Sequence, residues 1–159
     1  MRRPAAPLPA VVANPASGQT SILGPQALTN LTTATPKWKV VLGAYATHGK
    51  WSLNLREAIY GKSSQIVSTD GTGNNGITEE IGVTAVTDLD IGYSITHALK
   101  IDVGANNLFN QRPPTVPNIS DGSGGVRPAD GSNVYDAPIP FSPYGINGGY
   151  YYGRVTYSF

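Results

Sequence analysis

Apolar and polar residues alternate with a period of two over several stretches of this chain, most clearly over its last eleven residues. Counting back by twos, Phe159, Tyr157, Val155, Gly153 and Tyr151 share one face, and Ser158, Thr156, Arg154 and Tyr152 share the other. Such alternation marks a β-strand with unlike surroundings on its two sides. At about 3.3 Å per residue the stretch spans roughly 36 Å. Tilted by about 45° it covers roughly 25 Å of height, the apolar band of a transmembrane barrel. Aromatic residues at both ends of the apolar face fall where the two interfaces would lie. The terminal strand of a soluble sandwich also alternates, but seldom carries aromatic residues at both ends of that face.

The same reading predicts four earlier strands. The first covers residues 37–47, with Trp38, Val40, Leu42, Ala44 and Ala46 on one face, and it is opened by Pro36, where a missing N–H does least harm. His48-Gly49 reads as a tight turn into the second strand, 50–60, with Trp51, Leu53, Leu55 and Ile59 outward and Ser52, Asn54, Arg56 and Tyr60 inward. Glu57 falls on the apolar face, which a bulge or an interfacial position would absorb. The third strand, 81–95, sets Leu89, Ile91, Tyr93 and Ile95 against Asp88, Asp90, Gly92 and Ser94. Thr96-His97 is the next tight turn, and the fourth strand, 98–106, sets Leu99, Ile101, Val103 and Ala105 against Lys100, Asp102, Gly104 and Asn106. The fifth is 149–159. Residues 1–35 read as an irregular segment with a short helical turn near Pro25–Asn30; residues 61–80 and 107–148 read as polar loops. The fold expected is an all-β antiparallel meander of about five long strands. Its connections alternate short, long, short, long, so both tight turns share one end and both long loops the other. That is the asymmetry of outer-membrane barrels, and a soluble sandwich has no reason for it.

Composition narrows the classes. The chain has 159 residues, 13% of them charged, with 19 glycines, 13 prolines and no cysteine. It holds no disulfide framework, thiol catalysis or thiolate metal site. No run of 18 apolar residues offers a transmembrane helix. A formal net charge of +1 carries no nucleic-acid signal. The start, Met1-Arg2-Arg3-Pro4-Ala5-Ala6-Pro7-Leu8-Pro9, has the arginines of a secretion signal, but Pro7 and Pro9 interrupt its apolar core.

Asn106-Asn107-Leu108-Phe109-Asn110-Gln111-Arg112-Pro113-Pro114 leaves the penultimate strand, and an aromatic-rich strand ending in Phe159 follows. With Thr35-Pro36-Lys37, Tyr60-Gly61, Thr87-Asp88-Leu89 and Gly145-Ile146-Asn147-Gly148-Gly149-Tyr150, this combination resembles the C-terminal barrel end of TonB-dependent outer-membrane receptors, over about residues 30–159. The resemblance implies an incomplete arc, the last five strands of a 22-strand barrel that encloses a plug domain. It implies a parent receptor in the outer membrane of a Gram-negative bacterium that takes up a scarce nutrient, of the siderophore, cobalamin or saccharide class, by energised transport. It implies as partners outer-membrane lipid, the barrel-assembly machinery, and the plug and preceding strands. Asn106, Asn107, Leu108, Phe109, Arg112, Pro113 and Pro114 are then an architectural motif, and Tyr157 and Phe159 the terminal signal read during assembly. A structural component that closes a barrel with other chains, and a truncated product without function, are the alternatives.

No enzyme, cofactor or metal site is expected. Gly71-Thr72-Gly73-Asn74-Asn75-Gly76 spells G-x-G-x-x-G, but a strand rather than a helix follows, so a loop is the ordinary reading. Arg56, Asp88, Asp90, Lys100, Asp102 and Arg154 share the inward face as a charge network. His48 and His97 stand in turns without a partner at motif spacing, which argues against an outer-membrane lipase as well. Asp121-Gly122-Ser123-Gly124-Gly125 lacks the spacing of a calcium loop. Among the loop residues, Arg112, Arg127, Tyr135 and Tyr144 are the candidates for ligand contact.

Overall fold

The computed structural model describes residues 23–69 and 76–159; residues 1–22 and most of the 71–76 glycine motif lie outside them. Among the described residues, nine strands and one helix appear in the order α1 (Pro25–Thr32), β1 (Lys39–His48), β2 (Trp51–Tyr60), β3 (Ser63–Ser68), β4 (Gly76–Ile81), β5 (Thr84–Ser94), β6 (Leu99–Asn106), β7 (Asn118–Ser120), β8 (Val126–Pro128) and β9 (Tyr150–Tyr157). The main sheet has the order β1-β2-β5-β6-β9, every pair antiparallel, with β3-β4 and β7-β8 as separate hairpins. It is a five-stranded antiparallel meander.

Directly opposed residues point to the same side of a sheet, so the register aligns whole rows. Ala46, Leu53, Ile91, Val103 and Gly153 form one apolar row, and Ala44, Leu55, Leu89, Ala105 and Tyr151 the next. On the other face Tyr45, Asn54, Asp90, Gly104 and Tyr152 form a polar row, beside Thr47, Ser52, Gly92, Asp102 and Arg154. β1 and β9 are the two edges of this sheet, and all ten residues of β1 are exposed. Leu42, Leu53, Leu55, Val103 and Val155 all stay exposed on the apolar face.

Burial concentrates elsewhere. Ile81, Val116, Ala129 and Ile139 form the core cluster, with Ile77, Ile119, Phe141 and Tyr144 packed against it. All belong to the two long connections, so these are packed structure rather than open loops. The expected polar loop 61–80 contains the β3–β4 hairpin. The 107–148 loop contains β7–β8 and a bridge from Thr115 to Pro138. Apolar anchors spaced among polar residues drive both: the β3–β4 hairpin sends Ile77 and Ile81 into the cluster, and the longer loop sends Val116 and Ile139.

Other expectations are corrected as well. The third strand does not run unbroken from Ile81, because the chain breaks at Gly82-Val83, leaving Ile81 to the hairpin and starting the sheet strand at Thr84. The first turn is Gly49-Lys50, one residue later, since His48 still pairs with Trp51. Gly49 has φ +60° and Lys50 is not in the left-handed region, as a II′ turn with glycine first requires. The second turn holds four residues, 95–98: Thr96 accepts the amides of Ala98 and Leu99 on its hydroxyl at 3.2 and 3.0 Å, and Ile95 N–H donates to Leu99 C=O at 2.9 Å. No bulge surrounds Glu57; the register runs through it, and Thr87 directly opposite donates to its carboxylate at 2.6 Å. Within the segment expected to be irregular, α1 extends two residues past Asn30, with proline in its first turn, where its missing N–H costs nothing. Thr29 and Thr33 bind it to β3: Ile66 N–H donates to the Thr29 hydroxyl at 3.0 Å, and the Thr33 hydroxyl donates to Ser64 C=O at 2.6 Å.

Candidate functional site

Three places gather polar side chains: the polar face of the main sheet, the latch after β6, and the packed loops beyond it.

On the polar face, two glycines make room for the rest. A Cβ at Gly92 would lie 2.4 Å from Asp102 Oδ1 and 2.5 Å from Ser52 Oγ; one at Gly104 would lie 2.5 Å from the Tyr152 hydroxyl. Tyr152 therefore lies across Gly104 and donates to Asp90 Oδ2 at 2.8 Å. Asp102, 1% exposed, is 2.6 Å from Lys100 Nζ and 3.4 Å from Arg154 Nε. Arg154 also reaches Asp90 at 3.6 Å, and Arg56 reaches Asp88 at 3.4 Å. The six charges expected inward thus pair with one another. They form a wall of paired charges. His48 ends β1 in the apolar-face row of Trp51 and Tyr93, His97 stands in the turn after β5, and both are exposed. Among the described residues no three His, Cys, Asp or Glu side chains gather as a metal site would need.

The latch is built on Asn107. Its φ is +55°, a region asparagine tolerates better than most residues. Its side chain closes a ring with Gln111, donating to the carbonyl and accepting the amide, both at 2.7 Å. Its own amide donates to Asp88 Oδ1 at 2.9 Å. Leu108 N–H donates to Thr87 C=O at 2.7 Å, and Tyr151 O–H donates to Leu108 C=O at 2.9 Å. Asn110 accepts Gly149 N–H at 2.9 Å. The segment therefore ties β5 and β6 to the start of β9. Asn106 ends β6 and Phe109 is exposed; Pro113 is buried, and Pro114 accepts Ile139 N–H at 2.9 Å.

The loop candidates are mostly engaged. Arg112 Nε is 3.4 Å from Asn110 Oδ1 on an exposed side chain. Arg127 donates to Thr69 C=O at 2.6 Å, joining the two long connections. Tyr135, also exposed, donates to Val126 C=O at 2.8 Å. Tyr144 lies against Tyr60, ring centroids 5.8 Å apart, and Lys39 stands over the Tyr60 ring at 4.6 Å. Tyr157 and Phe159 are exposed, with ring centres 6.0 Å apart. A cleft of about 310 Å³ opens between α1 and the start of β1, lined by Thr33, Thr35, Lys37, Trp38, Lys62 and Ser64; Lys62 is paired with Glu80 at 2.7 Å.

Sequence reasoning missed Glu79. It is 2% exposed, and burial, then the nearby Asp130 charge, raises its carboxyl above the ordinary range. The signal was present: Ile77, Glu79 and Ile81 alternate on one face, a carboxylate between two isoleucines.

No protein-family model matches the chain, and no curated protein matches its sequence. Among solved structures it is similar to a point mutant of the ferric enterobactin receptor of Pseudomonas aeruginosa, with 20% identity and a TM-score of 0.51. The match covers 79% of this chain and 16% of that receptor. At this identity the likeness gives the fold: the chain adopts the form of an arc of a β-barrel.

Proposed function

We propose that this chain forms part of the wall of a TonB-dependent outer-membrane receptor, and that the whole receptor takes up a scarce nutrient by energised transport. The chain spans about a sixth of the receptor it resembles, so transport belongs to the whole assembly. One observation carries the reading: a single-layer sheet keeps one apolar face exposed while six charges on the other pair with one another. Trp51 and Tyr93, rings 4.7 Å apart, lie with Tyr157 and Phe159 at the short-turn end of the apolar face. That is where a lipid interface seats aromatic residues. The tight turns then face the periplasm and the packed loops face outside.

The edges favour assembly with further strands. β1 and β9 have ten and eight residues. Each leaves roughly half its backbone groups unpaired, at several kcal/mol apiece in lipid. The sum, tens of kcal/mol, exceeds the roughly 5–15 kcal/mol that stabilises a domain. Grafting residues 36–159 onto the ferric enterobactin receptor in place of the matched region tests this. The graft is expected to reach the outer membrane as a band whose gel mobility changes on heating. The 159 residues alone are expected not to insert as a monomer, and stable monomeric insertion would refute the reading. An oligomer of barrel size on native gels would favour closure by several copies instead.

A further inference from the structure

We propose that Glu79 is a proton-operated catch between the two long connections: neutral, it lets the β3–β4 hairpin pack on the 107–148 segment, and ionised, it loosens that packing. In the β3–β4 ladder Ile77, Glu79 and Ile81 alternate onto one face, with Gln65 opposite Glu79 and Ser63 opposite Ile81. Ile81 lies in the core cluster with Val116, Ala129 and Ile139, and Ile77 packs against it. Glu79 therefore sits on the face by which one connection holds the other. It is 2% exposed, and neither carboxyl oxygen has a hydrogen-bond partner. The Ser63 hydroxyl, its diagonal neighbour, is 1% exposed and equally unpartnered. One neutral hydroxyl cannot replace the water that a carboxylate gives up on burial. A buried carboxyl with neither a cation nor several donors takes up a proton rather than carry its charge.

The charges around it supply no partner. β3 and α1 carry no charged side chain. On β4 itself, Glu80 points to the opposite face and pairs with Lys62 at 2.7 Å. Along Val116–Tyr144, the stretch packed against the hairpin, the charged or titratable groups are Asp121, Arg127, Asp130, Tyr135, Asp136 and Tyr144. Asp121 accepts amides of its own turn, Arg127 donates to Thr69 C=O, and Tyr135 donates to Val126 C=O. Asp136 is exposed, and Tyr144 lies against Tyr60. Asp130, exposed beside buried Ala129, adds its negative charge to burial in raising the Glu79 carboxyl. The packed state thus holds a proton that the loosened state releases in the ordinary carboxylate range. Packing is then strongest below that range and weakens as pH rises through the value Glu79 has when packed. Acid tightens the loops and alkali loosens them. The catch rests on contacts within the loops, so it stands or falls apart from the membrane reading.

The test compares protease cleavage of the 107–148 segment in the full native chain and in Glu79→Gln, both in detergent micelles, from about pH 4 to about pH 9. Taking the ratio of the two rates cancels the protease's own response to pH. The ratio, native over variant, is expected to rise by up to about tenfold per pH unit between the ordinary carboxylate range and the Glu79 value, then to level off. Glu79→Gln, neutral and of the same shape, should resist cleavage throughout as the native chain does in acid. The carbon NMR signal of the Glu79 carboxyl should titrate above the ordinary range. Asp130→Asn, an exposed substitution, should lower that midpoint only part of the way, because burial is the larger cause. A ratio that stays flat with pH would overturn the proposal, as would a Glu79 carboxyl that titrates in the ordinary range. If Glu79→Gln does not fold, Asp130→Asn takes its place: its cleavage should rise less with pH than that of the native chain, and an equal rise would overturn the proposal.

Discussion

At the scale of single residues, Asn107 illustrates what a motif can and cannot disclose. The sequence marks it out through its neighbours Leu108 and Phe109, but the partner that fixes it, Asp88, lies 19 positions upstream and becomes adjacent only through the β5–β6 pairing. Two side-chain hydrogen bonds close the ring to Gln111, each worth about 0.5–1.5 kcal/mol net. The left-handed backbone adds about 1–2 kcal/mol against any residue with an ordinary Cβ and no local bond to offset it. Asn107→Ala should therefore destabilise the closed barrel by about 2–4 kcal/mol. Asn107→Gly, which relieves the backbone but not the lost bonds, should fall between. Denaturant titration of the grafted receptor measures both, and an alanine variant within about 0.5 kcal/mol of native would show that the ring contributes little. Glu79 is the opposite case. Its alternation with Ile77 and Ile81 is legible, but whether that face meets a core depends on Val116, Ala129 and Ile139 folding back from far along the chain.

At the scale of elements, the long strands were legible because each alternates over eight or more residues and is bounded by a turn. The short ones were not. β3 and β4 have six residues each, and β7 and β8 three, too few periods to rise above a polar background. The break at Gly82-Val83 was hidden by the apolar residues on both sides, which read as one continuous strand. The first turn was legible in kind and wrong by one position, because His48 and Thr47 fit either side of the boundary, whereas the second, expected as the pair Thr96-His97, holds four residues. The structure makes the position matter: Gly49, at φ +60°, has no neighbour within 4 Å of a Cβ, so the cost of a side chain there is conformational alone. Gly49→Ala should lose about 1–2 kcal/mol, whereas Lys50→Ala, on the ordinary side of the turn, should lose less than about 0.5 kcal/mol. Equal losses in the same denaturant titration would mean that the turn is not of the II′ kind.

At the scale of the whole molecule, the distribution of burial is inverted relative to a water-soluble sheet protein. The largest element, the five-stranded sheet, has both faces open, and the packed core sits in the connections. Such a sheet is stable only if each face meets the medium it suits, and the two faces differ sharply. Val103 lies mid-sheet in the row Ala46, Leu53, Ile91, Gly153, while Asn54 lies one row away on the other face beside Asp90. Lipid against the first face makes an arginine there costly, about 2–4 kcal/mol near the bilayer midplane. Water against the second face makes an arginine beside Asp90 nearly neutral. Val103→Arg in the grafted receptor should therefore reduce folded, heat-modifiable barrel in vesicles by that amount, while Asn54→Arg stays within about 0.5 kcal/mol of native. Both positions are exposed in the chain itself, so neither substitution meets a crowded core and the contrast reports the surrounding medium. Equal tolerance at both positions would place water on both faces, and equal intolerance would place protein on both; only the asymmetric result is compatible with a wall between lipid and lumen.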